Sequence, residues 1–233
     1  MPSVNAPLFF VSNLPKSETI EIIGDDAHHA LKVLRLKVDD FVEISDGLGK
    51  VAFGRIIETN RKNFSVKITQ EKQQPQSKIQ ISIAQAIVKS DRTKEMLELI
   101  TQSGVHELIP WSAEHSIGKW QTSIYEAAKQ CHIYLVPLVK EMLSTKQLIE
   151  KLADYDQVIL LDQNAEDPIS KVYKIGKSKI LLIIGPEGGV SDAETAQFKN
   201  TNVFAAKLAN STFRSAHVAL AATSAINTLA GNW

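Results

Sequence analysis

A run of five apolar residues followed by a glycine-rich turn constrains the fold of this chain most strongly. Residues 180–184 carry no polar side chain, as expected of a strand buried on both faces of a parallel sheet. The turn Gly185-Pro186-Glu187-Gly188-Gly189 ends this strand, and Ser191 with Glu194 is typical of a capping box that starts a helix. A strand, a glycine turn and a helix in this order predict an α/β sheet with a ligand at the carboxyl ends of its strands.

The glycines of this turn indicate how a ligand is held. Glycine reaches positive φ and lets the backbone come close, so peptide N–H and C=O groups can bind a ligand directly. The chain has neither the G-x-G-x-x-G dinucleotide fingerprint nor the G-x-x-x-x-G-K-[ST] phosphate loop. On spacing alone, an ordinary turn between a strand and a helix is the alternative interpretation.

Composition limits the class of protein. The 233 residues suffice for one large domain or two small ones. Basic and acidic residues balance at 26 each, so a nucleic-acid surface must be a local patch. A single cysteine, Cys131, excludes an internal disulfide. No apolar run reaches the roughly 18–20 residues of a membrane span, and no signal peptide is apparent. We therefore expect a cytoplasmic protein that does not enter a membrane.

The first segment, residues 1–72, predicts a small β-barrel. Short apolar runs predict strands at residues 8–11, 20–23, 41–45, 51–58 and 64–69. Asp25 is a candidate cap for a helix over residues 26–36, and Asp46-Gly47-Leu48-Gly49 predicts a hairpin turn. The polar, proline-containing residues 71–78 are the best linker candidate.

The second segment, residues 78–233, alternates strands with helices, which predicts a parallel α/β sheet. Strands are predicted at residues 79–88, 105–109, 133–138, 158–161, 180–184 and 203–207. Helices are predicted from Ser90 or Asp91 to Ser103 and over residues 120–131, 145–153, 192–199 and 215–229.

The predicted helix of the first segment is rich in basic residues, with His28, His29, Lys32, Arg35 and Lys37 close together. Adjacent histidines on a helix diverge, and no cysteine or carboxylate set accompanies them, so a metal site is not expected. A solvated helix face is one interpretation of these charges. A surface for nucleic acid is the other.

Several motifs in order carry a resemblance to a known family. Residues 185–189 and the segment His28-His29-Ala30-Leu31-Lys32-Val33-Leu34-Arg35 are two of them. Further motifs are Lys89-Ser90-Asp91-Arg92, Gly104-Val105, Ile109-Pro110, and Lys119-Trp120 with the following Glu126-Ala127-Ala128-Lys129-Gln130. Together they resemble the ribosomal RNA small subunit methyltransferase E family of the SPOUT superfamily over nearly the whole chain. The resemblance implies a PUA-like RNA-binding β-barrel over residues 1–72 and a trefoil-knotted α/β methyltransferase domain over residues 78–233.

The resemblance also implies an activity. Members of this family transfer a methyl group from S-adenosylmethionine to N3 of a uridine in 16S ribosomal RNA, and they usually form homodimers. It implies that three loops hold the cofactor through Leu161, Ile184, Gly185, Pro186, Glu187, Gly188, Gly189, Leu208, Ser211 and Phe213. It implies RNA contacts by His29, Lys32, Arg35, Lys37 and Arg92. Arg214 is the implied catalytic residue, because a fixed cation stabilises the negative charge that builds up on uracil.

The third of these loops departs from the family pattern. Ala209 replaces a glycine, and Ala216-His217 replaces a Glu-Thr or Ser-Thr pair. His217 is a candidate base by its ordinary pKa, or it faces solvent or packs beside the last helix. Two other functions therefore stay open. One is a related methyltransferase acting on another RNA, and the other is a non-catalytic RNA-binding or ribosome-assembly protein whose third loop has decayed.

Overall fold

The computed structural model describes residues 6–15, 17–87, 90–111, 119–186, 188–199 and 201–233. Within these ranges the chain forms two compact units. The first unit contains the described residues up to Gln76 together with Lys129–Val136, and the second contains the described residues of Ser77–Ala128 and Pro137–Trp233. The predicted linker lies where the chain first passes from one unit to the other. Nothing in the sequence assigned Lys129–Val136 to the first unit.

The first unit is built on a five-stranded sheet. Its strands are β1 (Leu8–Phe10), β2 (Thr19–Ile23), β3 (Phe41–Ser45), β4 (Lys50–Thr59) and β5 (Asn63–Gln73), in the spatial order β1-β3-β4-β5-β2. β1 is parallel to β3, and the other pairs are antiparallel. The five predicted strands are therefore confirmed. The prediction of a linker from residue 71 was wrong, because β5 continues to Gln73 through its pairing with β4.

The helix of the first unit differs from its prediction. Helix α1 spans Gly24–His28 and is followed by a π-helical turn, His29–Val33. Its N-cap is Ile23, so the prediction that Asp25 caps the helix was wrong. The prediction that the helix reaches residue 36 was also wrong. Arg35 has a φ of +57°, which a right-handed helix does not accommodate.

The segment Lys129–Val136 joins the first unit through hydrogen bonds to β3 and to the turn after it. Gly49 N donates to the Tyr134 carbonyl at 2.8 Å, and Val136 N donates to the Gly47 carbonyl at 2.9 Å. The Glu43 carboxylate, only 5% exposed, accepts from the Tyr134 hydroxyl at 2.7 Å and lies 2.9 Å from His132 Nδ1. Burial and this carboxylate raise the pKa of Tyr134. The predicted strand over residues 133–138 was wrong, because most of these residues bind the first unit.

The second unit contains a six-stranded, fully parallel sheet. Its strands are β6 (Gln80–Ala86), β7 (Glu107–Trp111), β8 (Leu138–Val139), β9 (Gln157–Leu161), β10 (Lys179–Ile184) and β11 (Val203–Ala206), in the order β11-β9-β10-β6-β7-β8. Strand β10 lies between β9 and β6, and residues 180–184 are buried, as predicted. This central position explains why β10 has no polar side chain after Lys179.

The helices of the second unit are α2 (Ser90–Gln102), α3 (Trp120–Cys131), α4 (Thr145–Glu150), α5 (Ile169–Val172), α6 (Asp192–Lys199) and α7 (Ser215–Leu229), with a 3-10 turn at Leu152–Asp154. Gly104, at φ +74°, follows α2 as predicted. The capping box before α6 is confirmed, since Ser191 N donates to Glu194 Oε2 at 3.1 Å and Glu194 N donates to Ser191 Oγ at 3.3 Å. The side chains of Ser90 and Asp91, the two candidate caps of α2, lie outside the described part.

Packing on one face of the parallel sheet is centred on Trp111. Its ring is fully buried and makes an edge contact with Phe198 of α6, with ring centroids 6.0 Å apart. Leu148 of α4 and Leu181 of β10 belong to the same apolar cluster. In the ranges that the structure describes, none of the helices combines the length and the apolar character needed to cross a membrane. The trefoil knot stays a prediction.

Candidate functional site

Three loops meet at the carboxyl ends of β9, β10 and β11 and enclose a cavity of about 330 Å³. Parallel strands place their carboxyl ends along one edge of the sheet, which brings loops distant in sequence together. The structure places nine predicted residues on the wall of this cavity: Leu161, Ile184, Gly185, Pro186, Gly188, Gly189, Leu208, Ser211 and Phe213. The tenth, Glu187, lies outside the described residues.

The loop after β11 contributes several residues to the wall of this cavity. Among the residues that the structure describes, the N–H groups of residues 208–213 donate no hydrogen bond to the protein. Leu208, Ala209, Ser211, Thr212 and Phe213 all line the cavity. Backbone N–H groups nearly always find a partner, so this row is suited to the acceptor atoms of a ligand or to water.

The three glycines of the turn after β10 differ in backbone conformation and in the space around them. Gly189 has a φ of +81° and donates its N–H to the Pro186 carbonyl at 2.9 Å, so it shapes the turn. A Cβ on Gly185 would lie 2.8 Å from Val190 Cγ2 and 3.1 Å from Val190 N. A Cβ on Gly188 would meet no heavy atom within 4 Å. Gly188 is therefore the position where the absence of a side chain leaves room at the cavity.

Side chains from other elements hold the carbonyl groups at the end of β10. Trp111 Nε1 donates to the Ile184 carbonyl at 3.0 Å, and Ser215 Oγ donates to the Gly185 carbonyl at 3.0 Å. Gln85 Nε2 donates to Ser215 Oγ at 3.2 Å. None of these three residues was among the predicted site residues. The one signal available was Gln85 itself, an amide within an otherwise apolar stretch of β6.

Arg214 lies at the N-cap of α7, immediately after the third loop. Its side chain is exposed, and it is not among the residues that line the cavity. The preceding Phe213 is 40% exposed, so neither residue is buried in the protein. The guanidinium is therefore available to a molecule that approaches this end of the cavity from solvent.

His217 of α7 pairs with a carboxylate on α2. Its Nε2 lies 2.9 Å from Glu95 Oε1. The hydrogen bond and charge of His217 hold the pKa of Glu95 below its usual range, and the guanidinium groups of Arg214 and Arg92 lower it further. The structure thus groups Arg92, Arg214 and His217 around Glu95. His217 is not among the residues that line the cavity.

Comparison with known proteins identifies the family. A family model described as an RNA methyltransferase domain matches residues 75–227, and a second, described as an RNA methyltransferase PUA domain, matches residues 22–69. This chain belongs to the RNA methyltransferase family. The expected fold class is confirmed: an N-terminal PUA domain precedes a parallel α/β domain.

Individual relatives cover almost the whole of this RNA methyltransferase. The ribosomal RNA small subunit methyltransferase E of Mycobacterium bovis is 25% identical over 98% of this chain and 94% of its own length. The crystal structure of such an enzyme from Neisseria gonorrhoeae, bound to S-adenosyl methionine, has a TM-score of 0.88 at 24% identity, covering 97% of this chain and 98% of its own. A putative methyltransferase from Legionella pneumophila with bound cofactor SAM has a TM-score of 0.86 at 22% identity, with the same coverage.

The PUA domain of this RNA methyltransferase carries four of the five predicted RNA-binding residues. His29, Lys32, Arg35 and Lys37 are all exposed. The apolar side chains of Val33, Leu34 and Val38 are exposed among them. The fifth residue, Arg92, belongs to the second unit and adds its charge to the group around Glu95.

A second cavity of about 490 Å³ lies at the opposite, amino-terminal edge of the parallel sheet. It is lined by the first residues of several strands and the segments before them, among them Gln80, Glu107 and Lys179. Although it is larger, it contains none of the predicted site residues. The carboxyl-end cavity remains the better candidate because the glycine turn and the unpaired N–H groups lie there. Within the described part of the chain, no three His, Cys, Asp or Glu side chains form a group suited to a metal ion.

Proposed function

We propose that this protein uses S-adenosylmethionine to methylate N3 of a uridine in 16S ribosomal RNA of the small subunit. The observation that carries the proposal is the carboxyl-end cavity, where three loops combine apolar walls with N–H groups that have no partner among the described residues. The proteins that match nearly the whole chain include a ribosomal RNA small subunit methyltransferase E and two methyltransferase structures with bound SAM, which supports the proposal.

The residues present fit this cofactor. Leu161, Ile184 and Leu208 supply apolar surface for the adenine ring. The N–H groups of residues 208–213 supply donors for its ring nitrogens, and Gly188 leaves space for close approach. When bound, S-adenosylmethionine supplies a methyl group on a positively charged sulfur. The chain's own task is then to hold the cofactor and the nucleobase in line.

Arg214 is the residue we propose to act on the nucleobase. Loss of the N3 proton places negative charge on the uracil oxygens, and a cation held beside them stabilises that charge. Arg214 follows the third loop directly and is exposed toward solvent, from which an RNA must come. Because a base inside a helix is inaccessible, the target uridine must be splayed out of its stack before N3 can be reached.

The exposed basic surface of the PUA domain supports the RNA part of the proposal. We assign His29, Lys32, Arg35 and Lys37 to contacts with phosphate groups, and Arg92 of the second unit to a further contact. Such contacts fix the position of an RNA without reading its sequence. A local basic patch of this kind is compatible with a chain that has no net charge and a polyanionic substrate.

We further propose that the protein acts in the cytoplasm as a homodimer with a trefoil-knotted catalytic domain. The family resemblance supports the dimer and the knot, and the single cysteine supports a reducing compartment. Large apolar side chains remain exposed near the C-terminus, with Trp233 at 61% and Leu229 at 37%. These exposed side chains are available for the proposed dimer contact.

A methylation assay tests the proposal. Radiolabelled S-adenosylmethionine is supplied with either naked 16S ribosomal RNA or assembled small subunits, and the product base is mapped by mass spectrometry. We expect a single methylated uridine, modified at N3. Methylation of a different RNA or of a different atom would refute the assigned substrate. Binding of the cofactor by calorimetry without any methyl transfer would refute an enzymatic role.

A further inference from the structure

Hydrogen bonds fix the orientation of a buried glutamine side chain at the end of β6. The Gln85 side chain is fully buried, and its Nε2 donates to the Ala86 carbonyl at 3.0 Å and to Ser215 Oγ at 3.2 Å. Its Oε1 has no hydrogen-bond partner among the described residues. Exchanging the two ends of the amide would place Oε1 against the Ala86 carbonyl, which is also an acceptor. The amide therefore points its donor at Ser215.

Ser215 transmits this orientation to the glycine turn. It is the first residue of α7 and is buried, and its hydroxyl donates to the Gly185 carbonyl at 3.0 Å. A serine hydroxyl has one proton. Because its oxygen accepts from Gln85, that proton is directed at Gly185. The result is a directional chain of hydrogen bonds from Gln85 through Ser215 to Gly185.

This chain joins two of the loops that enclose the cavity. Gly185 begins the second loop, Ser215 follows the third, and both line the cavity. The neighbouring carbonyl, that of Ile184, is held separately by Trp111 Nε1 at 3.0 Å. The end of β10 is thus fixed, and the hydroxyl of Ser215 ties the start of α7 to it.

We infer that Gln85 and Ser215 are positioning residues that set the separation of the second and third loops before the cofactor binds. The inference rests on the proposed function, since it names the same cavity. A cavity held at its bound width avoids the cost of ordering its loops on binding. Gln85 is not among the residues that line the cavity, and its side chain acts through Ser215.

Calorimetric titration with S-adenosylmethionine tests the inference on four proteins: the wild type, Gln85→Met, Ser215→Ala and the double variant. Methionine keeps the volume of glutamine but donates no hydrogen bond. Each single variant is expected to raise the Kd about tenfold, the effect of losing about one buried hydrogen bond. The double variant is expected to match the singles, because residues that act as one unit are not additive. In the methylation assay, KM for the cofactor rises while kcat at saturation stays within about twofold.

Gln157→Met is the matched control. Gln157 is also a buried glutamine, and it exchanges hydrogen bonds with the Val172 carbonyl at 2.7 Å and with Lys174 N at 3.0 Å. It lies at the amino end of β9, away from the cavity. We expect this variant to melt at a lower temperature with an unchanged Kd. An unchanged Kd in Gln85→Met, or an equal rise in Gln157→Met, would overturn the inference. A wild type that binds no cofactor would instead refute the proposed function.

Discussion

Replacing Gly188 with valine should leave the folding of the glycine turn unchanged while weakening its contact with the cofactor. A Cβ at this position meets no heavy atom within 4 Å, and its φ is outside the left-handed region, so the turn accommodates the side chain. Substitutions of this kind change the free energy of unfolding by about 0.5 kcal/mol or less. For a chain of this length we therefore expect a melting temperature within about 2 °C of wild type.

Cofactor affinity should respond very differently. Gly188 borders a cavity of about 330 Å³, near the lower end of the roughly 300–1,000 Å³ typical of ligand pockets. The added side chain competes with the ligand for this space, and overpacking costs about 1–3 kcal/mol. We expect the Kd for S-adenosylmethionine, measured by calorimetry, to rise about 5- to 150-fold.

Gly185→Ala provides the contrast within the same turn. Its Cβ would lie 2.8 Å from Val190 Cγ2 and 3.1 Å from Val190 N, so the turn itself has to move. At about 1–3 kcal/mol, this strain lowers the melting temperature by about 2–12 °C. A wild-type Kd in Gly188→Val would refute the placement of the cofactor against this turn. A comparable loss of melting temperature in Gly188→Val would refute the description of its surroundings.

Three further predictions concern charged residues. Changing Lys32 and Arg35 to alanine should weaken RNA binding. It should also reduce the slope of the logarithm of the binding constant against the logarithm of salt concentration by about one unit per lost phosphate contact. An unaltered slope would mean that these side chains are solvated and do not contact RNA. Arg214→Ala should lower turnover about 10²–10³-fold, because a cation that stabilises the developing charge is lost. Its melting temperature should be unchanged, because the Arg214 side chain is exposed. A large fall in melting temperature would show that Arg214 holds the third loop instead. Hydrogen bonds from Lys179 N and from Ser178 lower the pKa of Asp156 from 3.8 to about 2. The contribution of Asp156 to stability is therefore full above about pH 4 and is lost toward pH 2. We expect Asp156→Ala to have a lower melting temperature than wild type at pH 7 and the same melting temperature near pH 2. A difference in melting temperature that does not depend on pH would contradict this.

Local signals in the sequence were sufficient for the elements that build the site. The apolar run 180–184, the glycine turn and the capping box at Ser191 are short-range patterns, and each has its own physical cause. The set of three cofactor loops was expected from the family resemblance. Parallel strands end at one edge of a sheet, which explains why these loops, far apart in the chain, meet at one cavity.

Features that depend on distant partners could not be predicted. Residues 26–36 show helical spacing, but the spacing carries no information about a π-helical turn or about the positive φ of Arg35. Residues 133–138 read as a strand, although most of them extend along the first unit. The hydrogen bond between Gln85 and Ser215 joins residues 130 positions apart. No pattern in a single sequence relates two such positions.

The buried carboxylate of Glu43 has a consequence for how the protein is made. Both of its hydrogen-bond partners, His132 and Tyr134, lie beyond residues 77–128 in the chain. During synthesis the strands β1 to β5 leave the ribosome long before these partners exist. Enclosing a carboxylate without hydrogen-bond partners is costly, so we expect the nascent first unit to leave Glu43 in water until translation has passed Tyr134. The N-terminal unit therefore starts to fold first but reaches its final form only after the first part of the second unit, residues 77–128, has been translated.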